Sequence, residues 1–365
     1  MPSARALTKI LAAATLAASL GNVFSPTAAA QAQACFAYVA NNNPSVSIYS
    51  VDAATGSLTD AGTASLGPMS SAFALAINPS QTFLYVGDNA GTGTWGFAID
   101  ADSGALTPLA DSPFPVTNSL SLAVEPSGRF LIAALGGNVS SFRIDPATGG
   151  LERADTVVGG TPWSVTFEPS GQYVYVANVN SNNVSGFRLD ADTGALTAVP
   201  GSPFSAGANP SRVVIEPSGR FLYVSNGNGS NLNAYSIDSD TGALSPISGS
   251  PFPTGVIPEA MAIDPSGRYL YVSNFQNNID GFSIDPDTGA LARLDGSPFP
   301  AGDSTALDLS MDPSGQFLYA ANHDARKVTV LAVDANTGRL SLLSSVASPG
   351  FPLAIALVTC PTDPR

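Results

Sequence analysis

The stretch PSRVVIEPSGRFLYVSNGNGSNLNAYSIDSDTGALSPIS, Pro210–Ser248, decides the fold. Its apolar residues fall into four short runs, Pro210 to Ile215, Phe221 to Ser225, Leu232 to Ile237 and Ala243 to Ser248, separated by Gly, Pro, Asn and Asp. Runs of this length and punctuation read as β-strands. Phe221-Leu222-Tyr223-Val224 is apolar on both faces, the pattern of a strand covered on both sides. Glu216-Pro217-Ser218-Gly219 suits a type I turn, with the fixed φ of Pro followed by Gly at the last position. Asp238 to Gly242 suits the reversal between the third and fourth strands. The stretch is thus a four-stranded antiparallel meander.

The same text recurs along the chain. Asp-x-x-Thr/Ser-Gly-x-Leu begins at Asp52, Asp100, Asp145, Asp190, Asp238, Asp285 and Asp334. Pro-Ser-Gly begins at Pro126, Pro169, Pro217, Pro265 and Pro313, and Pro79 opens the variant Pro-Ser-Gln. Runs related to Phe221–Val224 begin at Phe36, Phe83, Phe130, Tyr173, Tyr269 and Phe317. A four-stranded unit repeated radially, with its second strand buried on both faces, is a propeller blade. The fold expected is all-β, a seven-bladed propeller over residues 35–365.

The ends fit together. The chain enters at a second strand, Phe36-Ala37-Tyr38-Val39, and finishes with Pro352 to Leu357, which matches the first strand Pro210 to Ile215. One blade is therefore shared by the N- and C-terminal strands. Cys35 and Cys360, the only cysteines, fall on the two sides of the turn that Pro-Ser-Gly forms elsewhere, so a disulfide is expected. The competing readings are two buried thiols, or Cys35 as a lipid-modified N-terminus.

Residues 1–34 read as a secretory signal peptide: Arg5 and Lys9 precede the apolar run Ile10 to Leu20, and small residues continue to Ala34. The run is about half the roughly 20 residues a membrane-spanning helix needs. Removing it leaves 12 basic against 28 acidic residues, a formal net charge of −16. That charge disfavours nucleic acid and anionic membranes as partners. A secreted or periplasmic monomer with no membrane span is expected.

The Asp pairs Asp190/Asp192, Asp238/Asp240 and Asp285/Asp287 could suggest calcium loops, but none carries the bidentate Glu or third ligand of such a loop. They read as turns, and neither metal nor cofactor is expected. Ser-Pro-Phe at Ser112, Ser202, Ser250 and Ser297 reads as the end of an outer strand, its Phe covering the blade edge.

Pro-Ser-Gly-Arg-Phe-Leu-Tyr-Val-Ser-Asn at 217–226, with the Ile-Asp-x-Asp-Thr-Gly-Ala-Leu repeat, resembles the lactonase family of seven-bladed propellers, which includes 6-phosphogluconolactonase-like and carboxymuconate cyclase-like proteins. Tyr-Val-Ala-Asn at 175–178 is also similar to YVTN-repeat propellers. The resemblance implies lactone chemistry carried by a His and an Arg near the starts of inner strands and a Glu just after a Tyr-Val-x-Asn segment. In Pro210–Ser248 those positions hold Ser211, Arg212 and Gly227, and the only histidine, His323, follows Asn322 in the last repeat.

Loops carry function in such folds. The face holding the loops between second and third strands is expected to present Trp163, Arg212, Glu259, Asp303 and His323, with Arg326 and Lys327 nearby. His323 is the candidate base, Arg212 the stabiliser of developing negative charge and Glu259 a catalytic carboxylate. Trp163, Asp303, Arg326 and Lys327 are candidate ligand contacts for a small lactone or sugar-like molecule. The alternative is a non-catalytic propeller that binds carbohydrate or protein, or serves as a surface scaffold, through Asn-rich loops such as Asn178 to Asn183 and Asn226 to Asn231.

Overall fold

A computed structural model describes residues 34–68 and 70–360. The expected leader lies outside these residues except for Ala34, which begins a strand. The described chain consists of strands and turns, arranged as seven antiparallel sheets. The innermost strand of each sheet lies against that of the next, and the ring closes on itself.

Blade 1 takes Ala34–Asn41, Ser45–Val51 and Leu58–Ser65 from the N-terminal side and its inner strand, Pro352–Thr359, from the C-terminal end. Blades 2 to 7 then follow in chain order, with inner strands beginning at Ala72, Ser121, Pro162, Pro210, Pro258 and Ala306. The apolar core is divided into seven slabs, one at each blade interface. This is why the second strands, such as Phe221–Asn226, are buried along their whole length.

The Asp-x-x-Thr/Ser-Gly turn does more than reverse the chain. Asp238 Oδ1 accepts the N–H groups of Asp240 and Thr241 and the Thr241 hydroxyl, which fixes the turn. The turn glycine then lies under an aromatic ring of the preceding blade: a Cβ at Gly289 would stand 2.5 Å from the Phe221 ring. The buried Tyr223 hydroxyl donates to the Gly289 carbonyl at 2.8 Å. Tyr38, Tyr85, Tyr175, Tyr271 and Tyr319 repeat this bond to Gly104, Gly149, Gly242, Gly338 and Gly56. Blade 3 has Ile132 where the others have Tyr, and Ser141, paired with Ile132 on the third strand, donates to Gly194 instead, at 2.5 Å. All seven interfaces are thus stitched at one level.

On the same edge of blades 3 to 7, the carboxylate before Pro-Ser-Gly caps its own turn. Glu216 accepts from the N–H groups of Ser218, Arg220 and Phe221, while Gly219 N–H closes the turn onto the Glu216 carbonyl at 2.9 Å. In blade 1 the turn is replaced by the Cys35–Cys360 disulfide, with Cα atoms 4.9 Å apart. The one Pro-Ser-Gln turn is its neighbour. Gln81, held at φ 58°, accepts from Thr359 N–H at 2.6 Å and donates through its amide to the Thr359 hydroxyl. The departure from Gly thus ties the closing strand to blade 2.

The outer strands differ from the sequence expectation of one continuous strand per repeat. In blade 5 only Leu244–Pro246 pairs first. The chain then bends at Ser250-Pro251, and Phe252–Pro253 pairs again with the same third strand. The Ser250 hydroxyl accepts from Ala234 N–H at 3.0 Å, which holds the bend. Blades 1, 3 and 7 lack Ser-Pro-Phe and keep unbroken outer strands, Leu58–Ser65, Leu151–Val158 and Leu340–Ala347.

The disulfide closes a separation of 325 residues, which the chain-entropy account makes worth up to about 6 kcal/mol. Non-reducing mass spectrometry of the denatured protein should find no free thiol, and Cys35→Ser should lower the urea midpoint; two alkylated cysteines would contradict the closure. Tyr223→Phe and Ser141→Ala should each cost about 1–3 kcal/mol, because each leaves a buried glycine carbonyl without its donor. Unchanged urea midpoints in both variants would show that the interblade bond carries no stability.

Candidate functional site

Six of the seven inner strands, all but that of blade 3, begin with a bulge. In blade 5 the pairing shifts between Pro210 and Arg212, and equivalent shifts occur at Pro162/Ser164, Ala306/Asp308 and Ala72/Ala74. A regular strand turns successive side chains to opposite faces, whereas a bulge lets two neighbours serve one side. The result is two stacked levels around the axis. Trp163, Ser211 and Glu259 line an open mouth of about 390 Å³ together with loop residues Thr161, Asn180 and Asn209. Ser164, Arg212 and Asp308 line a narrower cavity of about 170 Å³ beneath it. Leu120 borders both.

At the deeper level most side chains are small: Ala74, Ser121, Ser164 and Ala354. The equivalent residue of blade 6 is Ala260, and Arg212 reaches past that blade to donate to the Leu307 carbonyl of blade 7 at 3.2 Å. Asp308 Oδ2 accepts from Ile355 N–H of blade 1 at 2.9 Å. Ser121 and Ser164 accept from Val165 and Val213 N–H in the same way, so this level also sews inner strands together. Burial raises the Asp308 carboxyl above its ordinary value, and Arg212 pulls against that rise.

Glu259 sits one level higher on blade 6. Burial pushes its carboxyl up as well, and the Arg212 guanidinium opposes the shift. Trp163 forms the opposite wall and meets the edge of Phe73 at 6.0 Å between ring centroids, 86° between planes. Arg212, Glu259 and Trp163, three of the residues read from the sequence, are therefore brought to the axis.

The other four stand elsewhere. His323 lines neither cavity; it lies on the rim of blade 7, where Nδ1 meets Asp324 at 2.8 Å and the ring lies 5.0 Å from Phe351. Arg326 also lies over the Phe351 ring, its guanidinium carbon 4.1 Å from the centroid. Lys327 pairs with Asp303 on the same rim. Asp308 is the residue that sequence reading missed. Its signal was available: aligned by strand, it occupies the position of Arg212, in a run otherwise of small side chains.

A larger groove of about 610 Å³ lies on the opposite face between blades 3 and 4, lined by Glu125, Arg188, Asp190 and Asp192. Asp190 and Glu125 are engaged as turn caps there, bonded to Thr193 and Ser127. Among the described residues, no group of three or more His, Cys, Asp and Glu side chains is placed to hold a metal ion, and no helix is long and apolar enough to cross a membrane.

Comparison with known proteins bears on this arrangement. A 6-phosphogluconolactonase of Formosa agariphila is 33% identical over 106 residues, a match spanning 27% of this chain and 29% of that protein's length. The periplasmic gluconolactonase of Pseudomonas aeruginosa superposes with a TM-score of 0.78 at 20% identity, covering 89% of this chain and 99% of that one. A Lactobacillus plantarum protein gives 0.75 at 20% identity, with the same coverage. At such identity these structural likenesses show the fold. The family model described as lactonase, 7-bladed beta-propeller, matches residues 22–167, 121–205, 197–308 and 299–356, and the chain belongs to that family.

Proposed function

We propose that this propeller is an exported lactonase that opens, or in reverse closes, a small sugar lactone at its axial mouth. The observation that carries the reading is the placement of Arg212 and Glu259 on neighbouring blades at successive levels of the axis, close enough for the guanidinium to act on the Glu259 carboxyl, with Trp163 in the wall of the upper cavity. Water attacks the lactone carbonyl carbon while Glu259 takes its proton. The charge that develops on the carbonyl oxygen is stabilised by Arg212. The ring C–O bond then breaks, the proton passes from Glu259 to the departing ring oxygen, and a hydroxy acid leaves. A carboxyl whose affinity for protons is raised by burial is better suited to this exchange than an ordinary surface one. Asp308 acts through position, holding the closing strand beside Arg212. The base role expected for His323 passes to Glu259 in this scheme, because His323 lines neither cavity.

Export is part of the proposal, supported by the leader read at residues 1–34, by the Cys35–Cys360 bond and by the neighbour named periplasmic. The functional unit is taken as one domain, 35–365, acting as a monomer. A sugar-binding propeller without turnover is the second reading, favoured by the neutral polar rim of Thr161, Asn180, Asn209 and Ser211.

In a pH-stat assay with D-glucono-1,5-lactone, Arg212→Ala should lose about 100- to 1,000-fold in kcat, and Glu259→Gln about 100-fold or more. His323→Ala should stay within a few-fold of the parent. A His323→Ala loss matching that of Glu259→Gln would return the base role to His323, and binding without turnover would favour the second reading. The folded chain holds the Glu259 proton more tightly than the unfolded chain does, so stability falls as pH rises through the carboxylate range. Glu259→Gln should therefore raise the Tm at pH 7, on the order of 2 °C, and lose this advantage near pH 3. An equal or lower Tm at pH 7 would contradict the burial cost assigned to Glu259.

A further inference from the structure

We infer, resting on the lactone reading above, that the axial site takes unphosphorylated sugar lactones and rejects phosphate esters, with Glu259 the residue that enforces the choice. Of the described residues lining the two cavities, Arg212 is the sole cation, and it shares the axis with the carboxylates Glu259 and Asp308. One guanidinium N–H is already engaged by the Leu307 carbonyl. A phosphate dianion entering here would meet two carboxylates for one arginine, without the clustered Arg and Lys donors that phosphate recognition uses.

The rim offers no substitute. Lys327 is paired with Asp303 and His323 with Asp324, while Arg293, on the outer strand of blade 6, is paired with the buried Asp280. Arg326 stacks on Phe351. The protein carries 28 acidic against 14 basic residues, so its wider field also opposes an anion. What the mouth does present suits a neutral polyol: Trp163 for the apolar face of a sugar ring, and Thr161, Asn180, Asn209 and Ser211 for its hydroxyls. Its volume of about 390 Å³ falls in the range of small-molecule sites.

The test titrates the intact protein with D-gluconolactam, a neutral ring that does not hydrolyse, and with its 6-phosphate, following heat by calorimetry. Binding of the lactam should exceed that of the phosphate on the order of a hundredfold at low salt. The gap should narrow as salt rises, since screening weakens like-charge repulsion, and narrow again in Glu259→Gln. Equal or tighter binding of the 6-phosphate overturns the inference, as does a gap unmoved by both salt and Glu259→Gln. Failure of both compounds to bind overturns it together with the lactone reading. Selective lactam binding in a protein that does not hydrolyse D-glucono-1,5-lactone leaves the inference standing and removes only the catalytic proposal.

Discussion

The structure depends on a contact made at every blade interface: an aromatic ring resting on a turn glycine, and beside it a buried hydroxyl donating to that glycine's carbonyl. Tyr223 on Gly289 is one instance and Tyr319 on Gly56 is the one that completes the circle. Each blade alone has two apolar faces and cannot bury them. The contact sets how far the turns of successive blades stand apart, and hence how closely the sheets approach. Blade 3 shows that the bond matters more than the residue that makes it, since Ser141 supplies the donor where Ile132 cannot.

A ring of like units has one weak place, the seam between its first and last strands. Here the seam falls inside blade 1, between Ala34–Asn41 and Pro352–Thr359. A covalent bond replaces the turn that chain continuity gives the other blades, and Gln81 adds hydrogen bonds from the adjacent blade. The inner strand so held also carries Ile355, whose N–H is taken by Asp308 at the axis. Closure and site are thus mechanically connected.

Much of this was legible in the sequence because it is repeated. The positions of Tyr223, Gly242 and Pro217 recur in register, so spacing alone located the blades, and the failure of Pro-Ser-Gly to appear a seventh time located the cysteine pair. What was not legible depends on geometry that repeats without a residue signature. The bulge after Pro210 places Ser211 and Arg212 at successive axial levels, and no residue type announces it. The split outer strand was hidden because Leu244–Pro246 and Phe252–Pro253 read as a strand and its end, whereas both pair with the same neighbour. Asp308 was missed for a different reason: an Asp in an inner strand reads as an oddity until the strands are aligned against Arg212. Proximity of His323 to the axis could not be judged from its slot after Asn322, since that slot lies on the rim loop rather than on the inner strand.

The site that results is small, acidic and one-cation, built where seven inner strands converge. Glu259 and Arg212 stand on neighbouring blades at successive levels, and Trp163 faces them from blade 4. The central claim is that this mouth is where the ligand sits. A crystal structure of the protein with D-gluconate tests it most directly. The account predicts density for the hydroxy acid between Trp163 and the Arg212–Glu259 pair, its carboxylate toward Arg212. Density in the opposite-face groove beside Arg188, with the axial mouth left to solvent, would contradict it.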